Sequence, residues 1–335
     1  MLHHPKSRED WLALRHKYVS STEVSALFGA CPYLTAYELA LIKSDKVASS
    51  FEASERSEWG LYLQLPVAKK FADDYGISVR ALNAYAVNED AGMGASFDYE
   101  IVGIKEGTPP KGTVLQDMYK ANGPGILEIK TVDYLIFRDQ WHEDDEGNFE
   151  APAHIEIQVQ QELHCIGRSW GVLGVLVAGN QGHILIRDRD EAVGLSLESK
   201  CREFWRNLRA GKLPPPMLPE DAGIMRKIYA YAEPGKLLDA QDDKEIADLC
   251  RQYADAAQLA KGAEEQKKTA QAKLLERIGT AEKVLVDGFT ISAGMVAPTW
   301  IERYERAGYR NLRIYTKKAE KAPSAKAKAT KEETT

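Results

Sequence analysis

No CxxC pair occurs among the four cysteines, Cys31, Cys165, Cys201 and Cys250. Their wide spacing argues against a zinc knuckle, an iron–sulfur cluster and a disulfide framework, and they read as small buried hydrophobes. No apolar run approaches the ~18–20 residues that span a bilayer, and the first ten residues lack the apolar core of a signal peptide. The expectation is a cytoplasmic protein without a membrane partner. No GxxxxGKS/T loop is present, so ATP-driven motion is not expected. Repeats at solenoid spacing are missing as well. So is an excess of positive charge: 44 Lys and Arg stand against 50 Asp and Glu, a formal net charge of −6. That sum speaks at first against a polyanionic partner.

What is present is an ordinary globular composition, 44% hydrophobic and 28% charged over 335 residues, enough for two domains or one large domain with appendages. The charge is unevenly spread. Arg303 to Thr335 hold 10 basic and 4 acidic side chains, so the preceding 302 residues carry a net −12. Distribution matters more than the sum.

Residues 7–45 read as helical, with Ser7 at a cap, a second helix from Ser20 or Ser21 ended by Gly29, and a third over Thr35–Lys43. An amphipathic helix over Glu55–Tyr75 stops at Gly76. Strand patterns follow at Ile77–Val79, Ala84–Val87 and Ala95–Ile104, then a Gly- and Pro-rich loop from Gly107 to Gly125 and a strand through Ile126–Val132. Glu143–Glu150 reads as an acidic exposed loop. A helix over Pro152–Gly167, two strands at Gly171–Ala178 and His183–Arg187, and a helix over Ser196–Ala210 complete an α/β core with a central sheet. Beyond Pro214-Pro215-Pro216, a coiled-coil-like seam spans Asp242–Ile278, interrupted at Lys267, with a bend at Gly262. A hairpin with an Asp287-Gly288 turn follows, then a Lys/Ala-rich disordered tail. The expected domains are 1–218, an extension over 219–316 and the tail 317–335.

The chemically informative residues are Asp98 and the pair Glu128 and Lys130. In a strand, Glu128 and Lys130 share one face with Cα atoms about 6.6 Å apart, while Leu127 and Ile129 face the other way into the core. Asp98, in its own apparent strand, is a candidate neighbour. Two ionised carboxylates at close range repel, and a hard divalent cation with oxygen ligands and open water positions, such as Mg²⁺, relieves that. Such an ion makes hydroxide available and stabilises charge on a phosphate, while Lys130 neutralises the same transition state. Without context, the same pair is a surface salt bridge worth about 0–1 kcal/mol.

The context is a set of blocks in order. Trp11-Leu12-Ala13-Leu14-Arg15 and Val19-Ser20-Ser21-Thr22-Glu23-Val24 are followed by Gly60-Leu61-Tyr62-Leu63-Gln64, then Asp98, Glu128 and Lys130, then Gln158-Val159-Gln160. In this order they resemble the PD-(D/E)xK (restriction-endonuclease-like) nuclease superfamily, and more specifically the phage recombination exonucleases of the YqaJ and lambda exonuclease type. The resemblance covers Trp11 to about Pro216. It implies a central mixed sheet flanked by helices, with the helical and β-hairpin extension beyond it. It further implies Asp98, Glu128 and the Ile129 carbonyl as ligands of Mg²⁺ (or Mn²⁺ in its place). Lys130 and Gln158 would then stand at the attacking water, Gln160 is a further candidate, and Arg15 and Thr22 would contact the 5′ phosphate. Such residue types suit an anion: a guanidinium forks onto phosphate and a helix N-terminus favours negative charge. Gln64 departs from the family, which usually has a glutamate there near the metal; an amide can still coordinate or hold a water.

The implied activity is metal-dependent digestion of one strand of linear duplex DNA from 5′ ends, leaving 3′ single strands for recombination. A homo-oligomer acting on DNA ends, with a single-strand annealing protein as partner, is implied too. An endonuclease, a CRISPR-associated exonuclease on the same core, or a non-cleaving DNA-binding scaffold are the alternatives. Iron–sulfur versions of the core need clustered cysteines, which are lacking, and Gln64 is the scaffold reading's best support.

Overall fold

Ser7 begins the first helix: its Oγ accepts the Asp10 backbone N–H at 3.1 Å, one of the donors a helix start leaves unpaired. The structure, a computed structural model, describes residues 1–48, 55–143 and 149–297. The tail 317–335, the end of the extension and the centre of the acidic 143–150 loop lie outside the described residues. Strand β1 (Leu2–His3) precedes helix α1 (Arg8–Lys17). Where a helix is expected from Ser20, the chain instead makes strand β2 (Val19–Ser20) and a 3-10 turn over Val24–Phe28. Val19 and Ser20 pair in parallel with Met93 and Gly94, and the Ser20 and Thr22 hydroxyls accept from Arg15. Tertiary partners thus outweigh the short apolar repeat of Val24, Leu27 and Phe28. Gly29 ends the turn at φ 66°. Thr35 caps α2 (Ala36–Lys43), accepting the Glu38 N–H at 3.0 Å, and α3 (Glu55–Asp74) is closed by Gly76 at φ 64°.

Next come β3 (Ile77–Ala81), β4 (Tyr85–Asn88), β5 (Met93–Ser96), β6 (Tyr99–Ile104), α4 (Val114–Asn122) and β7 (Gly125–Val132). The expected single strand over 95–104 is two strands in two sheets. β5 joins a four-stranded sheet of order β1-β4-β5-β2, and β6 joins the central sheet, with Phe97 and Asp98 between them. The expected loop from Gly107 to Gly125 holds α4, whose Leu115, Met118 and Tyr119 pack on the core at helical spacing. Its glycines and prolines are confined to the flanks.

Helix α5 (Tyr134–Gln140), strands β8 (His142–Glu143) and β9 (Phe149–Glu150), helix α6 (Ala153–Ile166), strands β10 (Trp170–Val177) and β11 (Gln181–Asp188) and helix α7 (Glu191–Arg209) follow. Asp190 caps α7 earlier than the sequence pattern placed its start, by accepting the Val193 N–H at 3.0 Å. The central sheet has the order β11-β10-β7-β6-β3. Its β7–β10 pair is parallel and the others are antiparallel, so the core is mixed α/β with helices on both faces. Leu127 and Ile129 of β7 enter the cluster of Val67, Ala68 and Phe71 from α3. Ile126 enters that of Ile155, Val159 and Leu163 from α6. Strand alternation therefore aims Glu128 and Lys130 at α6.

The chain divides into two compact units, Met1–Met225 and a second that begins at Arg226. Helix α8 (Ala222–Ile228) contains this division. In the second unit, α9 (Lys244–Ile278) is one 35-residue helix that runs through Gly262 and Lys267, and none of its residues is buried. β12 (Lys283–Val286) and β13 (Phe289–Ser292) form the expected hairpin, with Gly288 at φ 75°. All four cysteines are free; Cys201 is buried and the others are half-buried. Among the described residues no helix is long and apolar enough to cross a membrane.

Candidate active site

The antiparallel ladder between β6 and β7 ends at Tyr99 opposite Leu127. One residue earlier, the Asp98 side chain takes over: its Oδ2 accepts the Ile129 backbone N–H at 2.9 Å. The break between β5 and β6 therefore fixes a carboxylate against the strand that carries Glu128 and Lys130. Glu128 Oε1 accepts from Lys130 Nζ at 2.9 Å and from Gln158 Nε2 at 2.8 Å, and Gln158 Oε1 accepts from the same ammonium at 3.0 Å. Gln64, from α3, donates its amide N–H to Asp98 Oδ1 at 2.8 Å. Residues from α3, the β5–β6 break, β7 and α6 thus meet at one place. Asp98, Glu128, Lys130, Gln158 and Gln64 are brought together.

Burial and the adjacent Glu128 push the Asp98 carboxyl up to about 8, against the pull of the Ile129 N–H and of Lys130. Burial would strip Lys130 of its proton, but Glu128, Glu162 and Asp98 outweigh it and raise its pKa. Lys130 is thereby kept an ammonium, suited to neutralising charge rather than to taking a proton.

Arg15 stands on α1 with Nη2 3.1 Å from Ser20 Oγ, 3.1 Å from Thr22 Oγ1 and 3.4 Å from Glu23 Oε1. Its guanidinium lies 4.8 Å from the Trp11 ring centroid. Glu23 is shared with Lys43, whose ammonium also reaches the carbonyls of Arg15 and Tyr18. Two cations and one carboxylate leave a net positive charge at this turn. Thr22 lines a cleft of about 810 Å³ together with Gln64, Ile129, Lys130 and Gln158. Arg8 and Arg56 add cations to its wall, and Tyr33 meets His154 edge-on there, with centroids 6.0 Å apart. Gln160 is not brought to the cluster: its amide spans the Asp188 carbonyl and the Asp190 N–H, tying α6 to the start of α7. His164 likewise faces α7, bonded to Glu198.

Sequence reasoning missed Glu162 and Gln161. Gln161 is buried and ties β2 to β5, donating to the carbonyls of Val19 and Gly94 at 2.9 Å each. Glu162 is 1% exposed, and its Oε1 accepts from Gln158 Nε2 at 2.8 Å and from Ser21 Oγ at 3.1 Å. Burial and Glu128 raise its pKa well above the usual carboxylate range. The signal that would have found it is spacing: Gln158 and Glu162 are four apart on one helix, hence on one face.

A divalent cation fits this donor set. Three carboxylates surround one ammonium, two of them with raised pKa, an excess of negative charge that such an ion relieves. Glu128 acts on the Asp98 carboxyl strongly enough to raise its pKa, and Ile129, whose N–H Asp98 accepts, lines the same cleft. Among the described residues no group of three His, Cys, Asp or Glu side chains forms a cage of its own. Two carboxylates and a carbonyl completed by water is a set of the kind that hard Mg²⁺ takes.

Comparison with known proteins finds similarity over much of the first unit. Residues 10–169 match the family model of the YqaJ-like viral recombinase domain. The YqaJ protein of Bacillus subtilis (strain 168) is 28% identical over 240 residues, 70% of this chain and 67% of that protein. Among solved structures, the alkaline exonuclease LHK-Exo from Laribacter hongkongensis aligns at 18% identity and a TM-score of 0.44, covering 61% of this chain and 93% of that one. A phage related exonuclease from Haemophilus somnus 129PT aligns at 13% identity and a TM-score of 0.35, covering 62% and 91%. Every side chain of the cluster, from Gln64 to Glu162, falls within residues 10–169, the span that is similar to the YqaJ-like viral recombinase domain.

Proposed function

We propose that this cleft hydrolyses phosphodiester bonds at the ends of linear duplex DNA, with Mg²⁺ or Mn²⁺ bound by Asp98, Glu128 and the Ile129 carbonyl. The single observation that carries this reading is the meeting of Asp98, Glu128, Lys130 and Gln158 within one hydrogen-bonded cluster of a YqaJ-like domain. When bound, the ion supplies an activated water near neutral pH and stabilises charge on the phosphate. Asp98 and Glu128 hold it. Lys130 stays protonated and neutralises the charge that builds on the phosphate oxygens. Gln158 keeps one oxygen lone pair on Lys130 and turns the other toward the cleft, where it orients the attacking water.

Digestion runs 5′→3′ and leaves 3′ single strands, substrates for an annealing protein. What supports this polarity is the net positive turn around Arg15, joined to the cleft through Thr22, since guanidinium and hydroxyl donors suit a terminal phosphate. A homo-oligomer threaded on the duplex is part of the same reading.

The test is digestion of end-labelled linear duplex. We expect loss of label in Mg²⁺ and none with EDTA, faster processing of 5′-phosphorylated than of 5′-hydroxyl ends, and at least ~10²-fold slower digestion by Glu128→Ala and Lys130→Ala. Variants as fast as the wild type overturn the assignment of these residues. A wild type that binds duplex but leaves it intact in Mg²⁺ supports a scaffold instead.

A further inference from the structure

We propose that Glu162 is a positioning residue, which holds the Gln158 amide at one place in the cluster and ties it to the turn that carries Thr22. The inference rests on the reading of Gln158 given above and goes beyond it.

Gln158 has two N–H bonds on Nε2, and both are taken by carboxylates. One goes to Glu128 Oε1 and the other to Glu162 Oε1, each at 2.8 Å. With its nitrogen anchored from two sides, the amide presents only its oxygen to the cleft, 3.0 Å from Lys130 Nζ. Glu128 alone would hold one N–H and leave the amide free to swing about that bond. The second N–H would then be buried without a partner, at a cost of about 1–3 kcal/mol that a change of rotamer relieves. Glu162 prevents that swing.

Two further facts separate Glu162 from an ordinary helix residue. It is 1% exposed, and its Oε2 has no hydrogen-bond partner among the described residues. An acidic group so placed is costly to bury, and folding alone would favour an apolar residue there. Its other donor is Ser21, 141 positions away in the chain and next to Thr22. One carboxylate therefore accepts from both the water-side amide and the turn beside the Arg15 cluster, and so sets their separation. Positions held this closely matter, since small displacements from a near-attack geometry slow a reaction steeply.

The experiment is a double-mutant cycle on the full chain, using linear 5′-phosphorylated duplex and Mg²⁺, with Tm recorded for each variant. Glu162→Leu keeps similar volume without the acceptor, Glu162→Gln keeps an acceptor oxygen, and Gln158→Ala removes the group acted upon. We expect Glu162→Leu to lower kcat about tenfold or more with KM for ends within twofold. Glu162→Gln should restore kcat to within about threefold of the wild type. In the Gln158→Ala background, Glu162→Leu should cause no further loss, because the pair acts as a unit. An equal loss in both backgrounds overturns the proposal, as does a Glu162→Leu enzyme as fast as the wild type. If Glu162→Leu does not fold, Glu162→Gln decides by itself: a tenfold loss there overturns it, and near wild-type kcat supports it. A wild type without digestion sinks the reading of the site rather than this inference.

Discussion

Gln64 donates to Asp98 Oδ1 at 2.8 Å, which a carboxylate at the same position would not do. The amide therefore occupies a lone pair of a carboxyl that burial and Glu128 already push up. A glutamate there would add a fourth carboxyl to Asp98, Glu128 and Glu162. Without a cation that is repulsion; with one it is another ligand. Gln64→Glu is accordingly expected to lower Tm in EDTA, and to gain more from Mg²⁺ than the wild type does. A tenfold tighter cation corresponds to a further rise on the order of 3–6 °C. Thermal melts of both proteins with and without Mg²⁺ check this, and an equal rise in both would mean that position 64 does not reach the cation.

At the level of elements, the joint between α1, β2 and α2 is held by charge as well as by packing. Lys43 ends α2 with a side chain only 2% exposed, bonded to Glu23 and to the carbonyls of Arg15 and Tyr18. Burial works to raise the Glu23 carboxyl, but Lys43, Arg15 and the Ser20 N–H together hold it below the usual carboxylate range. Removing Glu23 leaves Lys43 buried without its counter-ion, a change that costs about 3–5 kcal/mol. For a unit of this size, Glu23→Ala should lower Tm on the order of 10 °C. The pH dependence follows in sign. A carboxyl with a depressed folded pKa adds stability above its unfolded value of 4.5, and that contribution fades as pH falls through the lower folded value. Acid unfolding curves of the wild type and Glu23→Ala should therefore converge below pH 4.5, and curves that stay parallel would rule the linkage out.

On the scale of the whole molecule, the buried clusters that form the core among the described residues contain residues from Val19 to Leu213, all of them in the first unit. Helix α9, by contrast, buries nothing. Stability should therefore reside in the first unit. A fragment ending at Ala230, just after α8, is expected to melt cooperatively within about 5 °C of the full chain, since it keeps all three core clusters. Assaying it for the proposed digestion of linear duplex then measures what residues beyond α8 add. The acidic total also acts at this scale. On the proposed function, a net charge of −6 disfavours contact with DNA away from the site, so binding to closed circular DNA should be weak compared with linear ends, and filter binding of both forms at one salt concentration checks it.

Much of this protein follows from local rules. The caps at Ser7 and Thr35, the stops at Gly29 and Gly76 and the Asp287-Gly288 turn use chemistry contained within a few residues, and so are legible in order along the chain. So is the two-residue period that puts Glu128 and Lys130 on one face of β7. The blocks around Arg15, Asp98, Glu128 and Gln158 are legible differently, as short runs whose order resembles a nuclease family. What local rules cannot supply is partnership between distant segments. The break that frees Asp98 exists because β5 and β6 join different sheets. The turn at Ser20 replaces a helix because Val19 pairs with Met93, 74 residues on. Gln160, Gln161 and Glu162 look alike as polar helix residues, and only the packing of α6 against β4, β5 and β10 sends one outward and buries two. Their roles depend on what lies opposite each side chain, and that is decided by the tertiary structure.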